Sequence, residues 1–203
     1  MDNWMQSATF QNDVKVDIGF MACDSFYFGP ENGLTPEQYE TMRVSLYQPE
    51  LKKSGSFILS CDVIGHEEEL IKHYRDVVQK YAEYGKDISQ STHFWNRPVI
   101  YNSDFVISFP WHDHFREGKN VLDHLTSVED GNIYRDIDQG WALDIAARDD
   151  LIYAREWDPD YEEIHYQVKF DRVTIRQQAK ALMTDVPALI QKLSAALGHD
   201  YWT

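Results

Sequence analysis

The chain has 203 residues, of which 34 are Asp or Glu and 19 are Lys or Arg, for a net charge of −15. Nucleic acid binds to a basic footprint, and an anionic membrane surface repels an excess of carboxylates, so neither is expected as a partner. The longest apolar runs fall far short of the ~20 residues of a membrane span. The opening Met1-Asp2-Asn3-Trp4-Met5-Gln6 lacks the basic and apolar regions of a signal peptide, and a cytosolic protein is expected.

Hydrophobic residues make up 43% and charged residues 26% of the chain, close to a globular average. A chain of this length buries roughly 70% of the surface its unfolded form exposes. A single domain over 1–203 therefore needs no metal or disulfide staple, and no cofactor is expected. Cys23 and Cys61 lie in apolar, strand-like runs and are expected to be buried, reduced thiols.

In chain order, Val14, Val16, Ile18 and Phe20 alternate with Lys15, Asp17 and Gly19 as a half-buried strand, which Gly29-Pro30-Glu31-Asn32-Gly33 breaks. Thr35-Pro36-Glu37-Gln38 starts a helix over 35–48, with Thr35 as N-cap and Gln38 completing a capping box. Tyr39, Met42 and Leu46 form its stripe, and Pro49 ends it. Phe57 to Ile64 reads as a second strand. The clearest helix spans 67–84, burying Leu70, Ile71, Tyr74, Val77, Val78 and Tyr81. Glu67, Glu68 and Glu69 complement its dipole, and His66 and His73 read as surface residues.

Pro98 to Phe109 divides into two short strands around Asn102-Ser103-Asp104. Trp141, Leu143 and Ile145 share one face of a strand; Leu151 to Trp157 follows, and then Ile164, Tyr166, Val168 and Phe170 alternate. These make a three-stranded antiparallel meander with turns at 147–150 and 158–160. A last helix spans 173–197, with a kink or break expected near Thr184 because Pro187 clashes with the Met183 carbonyl. The fold class is α+β, with helices on a largely antiparallel sheet.

Residues 129–163 hold twelve Asp and Glu against three Arg and no Lys, a local net charge of −9. Antiparallel geometry sorts these acids by end. Asp149 and Asp150 fall at one end of the meander; Asp136, Asp138, Asp158 and Asp160 converge at the other, flanked by Trp157, Tyr161 and Glu162. Such a cluster reads as a solvated loop, as a surface for a Lys- and Arg-rich protein, or as a Ca²⁺ or Mg²⁺ site built from two Asp-x-Asp pairs.

Trp111-His112-Asp113-His114-Phe115, with His124 downstream, is the metal candidate. His112 and His114 would share a strand face, and a third ligand would leave an open position for Zn²⁺-assisted hydrolysis. Pro110 favours a loop there instead. Glu156 with Glu162 or Glu163 would serve as an acid/base pair only if desolvated, and nothing in the sequence indicates that. Gly-x-Ser-x-Gly, P-loop and Gly-x-Gly-x-x-Gly patterns are absent.

The segments Gly140-Trp141-Ala142-Leu143-Asp144-Ile145 and Leu151-Ile152-Tyr153-Ala154-Arg155-Glu156-Trp157, with the closing Asp200-Tyr201-Trp202, resemble bacterial immunity proteins of the polymorphic-toxin or contact-dependent-inhibition type. The likeness is one of character over 60 to 70 residues, and it carries no family site onto numbered positions. It implies a cytosolic, non-enzymatic inhibitor that neutralises one cognate toxin domain, often a basic nuclease, by covering its active site. A metal-dependent hydrolase and a structural or regulatory protein without a single target are the alternatives.

Overall fold

A computed structural model describes residues 3–30, 32–110, 112–127, 129–138 and 140–203, and of residue 90 the backbone alone. Trp111, expected to open the His112 motif, lies outside the described residues. Helix α1 (Asn3–Gln6) is followed by strands β1 (Thr9–Phe10), β2 (Lys15–Met21) and β3 (Ser25–Tyr27). Next come α2 (Pro36–Thr41), β4 (Arg43–Ser45), β5 (Lys53–Ser54), β6 (Phe57–Leu59), α3 (Ser60–Val63) and α4 (Glu67–Glu83). The hairpin β7 (Asn96–Tyr101) and β8 (Val106–Ser108) precedes α5 (Phe115–Thr126). Strands β9 (Gly131–Asp138), β10 (Trp141–Arg148), β11 (Leu151–Asp158) and β12 (Glu163–Asp171) lead into α6 (Arg172–Leu197). The class is α+β.

The chain divides into two compact units, residues 1–17 with 97–185 and residues 18–96 with 186–203. The first is built on a sheet of order β1-β12-β11-β10-β9, antiparallel except for β1 beside β12. The expected meander thus has a fourth strand, because residues 131–138, read as an incoming segment, pair with β10. Their apolar residues are spaced among Arg135, Asp136 and Asp138, which hides the alternation.

One face of this sheet carries the buried Ile145, Ala147, Ile152, Ala154, Val168 and Phe170. The other is covered at one end by Met5 and Ala8, packed on Ala146 and Tyr153. Asn102 turns the β7–β8 hairpin as expected, its Oδ1 accepting from the amides of Asp104 (2.8 Å) and Phe105 (3.1 Å).

Arg172 knots this unit together. Buried to 4% exposure, it donates to Asp130 Oδ1 (2.7 Å) and to the carbonyls of Asp149 (2.9 Å), Ser127 (3.2 Å) and Glu129 (2.6 Å). Its planar fork ties the start of α6 to the β10–β11 turn and to the segment entering β9.

In the second unit, β6 pairs with both β5 and β2, and β3 pairs with β4. The capping box at Thr35 and Gln38 forms as expected, but α2 ends at Thr41 rather than near 48. No residue of α2 is buried, so tertiary packing does not extend it, and Val44 joins a strand against Phe26 instead. The strand expected over 57–64 stops at Leu59, and α3 follows. Cys61 is consequently exposed on α3 rather than buried, while Cys23 is half-buried and its thiol pKa raised by desolvation.

His73 was expected at the surface but is fully buried on α4, its Nδ1 2.7 Å from the Tyr47 carbonyl. It stands three residues from Leu70, on the same helix face. Helix α6 runs unbroken through Pro187, whose ring is exposed, although the division between the units falls at 185/186.

His93 is 8% exposed, stacked on Phe26 and edge-on to Tyr81, and burial lowers its pKa to about 4. A histidine whose folded pKa lies below its unfolded value keeps its full contribution above pH 6.5 and loses it as pH falls toward 4. Urea titrations from pH 7 to 4 should show this loss, on the order of 3 kcal/mol, and His93→Phe should flatten it; an identical acid limb in the variant would refute the assignment. Separately, Arg172→Ala should cost about 2–4 kcal/mol and Arg172→Lys only part of that. A wild-type urea midpoint for Arg172→Ala would show that the knot is not structural.

Candidate protein-binding surface

Cross-strand partners share a sheet face. The register places Ile137, Ala142, Trp157 and Ile164 in one row, and Arg135, Asp144, Arg155 and Gln167 in the next. Both rows lie on the face that carries α1; Trp4 and Ser7 reach the second row at Arg155 and Gln167 (2.8 Å to Ser7 Oγ), and the row of Ile137 and Ile164 lies beyond them. Ile137 is 51% exposed, Ile164 52% and Tyr161 83%, so this end presents apolar side chains to solvent.

Ile164 was expected on the face of Tyr166. A bulge opposite Glu156 and Trp157 pairs Tyr166 with Glu156 but Ile164 with Trp157, which turns Ile164 outward.

The Trp157 side chain is fixed from two sides. Its Nε1 donates to Asp144 Oδ2 (3.0 Å), and the Arg155 guanidinium lies over its ring at 4.3 Å. The same guanidinium is 5.1 Å from the Trp4 ring and donates to Asp144 Oδ2 through Nη2 (2.7 Å) and Nε (3.3 Å). Arg135 Nε adds an ion pair to Asp144 Oδ1 at 3.4 Å. Asp144 is therefore consumed internally, and its charge is matched by two arginines.

The acids at the open end of the sheet are different. Asp158 Oδ1 accepts from the amides of Asp160 (2.8 Å) and Tyr161 (3.1 Å), which folds the β11–β12 turn. A Cβ added to Gly140 would lie 3.6 Å from Asp158 Oδ2 and 3.5 Å from Asp160 Oδ2, so this turn sits against the β9–β10 turn. Asp138 faces Trp141 across that second turn. Asp138, Asp158 and Asp160 thus share one end, with Trp157, Tyr161 and Glu162 around them.

Asp136 does not join them as expected. It lies one row inward, opposite Leu143, and accepts from Tyr134 Oη at 3.0 Å. Burial and this bond push the Tyr134 pKa above the ordinary tyrosine range. Among the described residues, Asp138, Asp158, Asp160, Glu162 and Glu163 form no ion pair, unlike Asp130 and Asp144. Asp149 and Asp150 lie at the opposite end, beyond the Arg148–Leu151 pair.

The histidines of the metal candidate are dispersed. His112 packs edge-on to Phe109 and Tyr134, and burial lowers its pKa. His114 precedes α5, where its amide donates to Glu117 Oε2 at 3.2 Å, and His124 is exposed in the last turn of that helix. Among the described residues, no three His, Cys, Asp or Glu side chains gather as a ligand set. Burial raises the Glu156 pKa, and the groups that act on it are Trp141 and His165, not Glu162 or Glu163, so the acid/base pairing is not formed. No helix among the described residues is long and apolar enough to cross a membrane.

Sequence reasoning missed Trp4, Ile137, Asp144, Arg155 and Ile164. Packing of α1 against the sheet brings Trp4 to Arg155, and no local pattern announces a contact of that sequence separation. No family model, curated protein or solved structure matches the chain.

Replacing Asp144 with Ala leaves Trp157 Nε1, Arg155 and Arg135 without their shared acceptor. The substitution should cost about 1–3 kcal/mol and shift the indole N–H resonance of Trp157. An unmoved resonance would mean that Asp144 does not hold the ring.

Proposed function

We propose that the protein is a cytosolic binding module that captures a basic protein partner through the open end of the β9–β12 sheet. The observation that carries this is the juxtaposition of unpaired acids with exposed apolar and aromatic side chains at that end. Unpaired carboxylates attract a cationic surface over a distance of about a Debye length, ~8–10 Å at physiological salt. Ile137, Ile164, Tyr161 and the braced Trp157 then supply contact area that loses little side-chain entropy on binding.

The resemblance to immunity proteins makes the partner a toxin domain, and the charge suits a nuclease. A cleft that binds a phosphate backbone is cationic, and carboxylates at the spacing of a sheet end occupy it in place of phosphates. Inhibition is then steric, and no catalytic group is needed on this chain.

The test is co-expression with a basic toxin domain, sought first in the genes flanking its own, followed by titration of the purified pair at several salt concentrations. Asp158→Lys with Asp160→Lys should weaken binding tenfold or more at low salt and flatten the salt dependence. Binding that is unchanged in strength and salt slope would discard this surface.

A further inference from the structure

Strand β9 is the outermost strand of its sheet, and eight residues make it a long edge. The other edge is covered at one end, since β1 pairs with Val168 and Lys169 of β12 and Gln11 N continues the contact to the Lys169 carbonyl at 2.8 Å. Within β9, alternate residues turn their N–H and C=O groups away from β10. Among the described residues, none of these outward groups has a partner. Such an edge is a template for another strand unless Pro, Lys, a bulge or a covering segment blunts it; β9 contains neither residue, and its register irregularity, opposite Ile145 and Ala146, leaves Tyr134 to Asp138 in regular pairing.

The two faces of β9 differ in chemistry. Asp136 and Asp138 lie on one, with Asp158 and Asp160 beyond them. Ile137 lies on the other, level with Trp157 and Ile164. Arg135, the one cation of the strand, is matched by Asp144. A strand laid against this edge would therefore meet carboxylates on one side and apolar groups on the other, with a period of two residues.

We infer, resting on the acidic capture proposed above, that the β9 edge takes up an extended segment of the partner as a sixth strand, with Lys or Arg alternating with apolar residues. Main-chain hydrogen bonds supply the attachment. The basic residues face Asp136 and Asp138, and the apolar ones extend the row of Ile137 and Trp157.

Amide hydrogen exchange on ¹⁵N-labelled protein tests this with two synthetic peptides, one alternating Lys and Val and one with the same residues in two blocks. At saturation the alternating peptide should slow exchange of every second β9 amide at least tenfold, and the block peptide should not. β9 amides that stay unprotected with the alternating peptide, or equally protected with both, overturn the inference. The Asp158→Lys/Asp160→Lys variant separates it from the reading it rests on. If that variant loses affinity for the basic domain while β9 stays unprotected in the native chain, strand addition falls and acidic capture stands. If β9 is protected while the variant binds the domain as tightly as the native chain, strand addition stands and capture by the turn acids falls.

Discussion

The register between β9, β10, β11 and β12 is the constraint on which everything at the open end of the sheet depends. Side chains alternate between faces, so a register decides which residues become neighbours across strands separated by twenty or thirty positions. Here it is held by the buried face. Leu143, Ile145, Ile152 and Ala154 are all within 1% of complete burial, and a slip of one residue would send Asp144 and Arg155 into their place. Burying those charges costs far more than any exposed contact returns. The surface row of Ile137, Trp157 and Ile164 is thus a by-product of a core that admits only one pairing.

Pairing, rather than net charge, determines what the acids of this region do. Asp130 is held by Arg172, and Asp144 by Arg135 and Arg155; both stabilise the sheet and present little free charge outward. The turn acids have no such partners. A local sum of −9 over 129–163 therefore mixes two populations, one structural and one available. Arg155 links them, because the guanidinium that neutralises Asp144 also braces Trp157 beside the available acids.

Much of this was legible from local chemistry. The capping box at Thr35, the Asn102 turn, the 67–84 helix and the turn at Asp158 all follow from residues within four positions of one another. What escaped depended on longer range or on a single-residue irregularity. Strand β9 was hidden because charged residues interrupt its apolar alternation. A bulge has no signature in a two-residue period, so alternation alone puts Ile164 on the wrong face. Cys61 and His73 depart from expectation for a related reason: a strand that becomes a helix at Ser60, and a carbonyl from Tyr47 that partners Nδ1 of a buried imidazole. The cover of Met5 and Ala8 on Ala146 and Tyr153 spans most of the unit's sequence and leaves no local trace.

The β11–β12 turn carries two local costs. Asp158 stands directly opposite Glu163, a like-charge pair that weakens a hairpin by some tenths of a kcal/mol or more. Glu162 holds a left-handed backbone, φ +56°, where Gly or Asn would sit with less strain. Asp149 has a similar φ of +51°, but aspartate tolerates that conformation better, and its amide is secured by Asp130 at 3.1 Å. At Glu162 no such bond compensates among the described residues. Two local costs are therefore concentrated at the end of the sheet where unpaired acids meet exposed apolar side chains. Strain of this kind persists where the surrounding structure fixes it and where the displaced alternatives would lack a needed group. On the capture proposed above, a glycine at 162 and a lysine at 163 would make a better hairpin and a poorer trap for a cation.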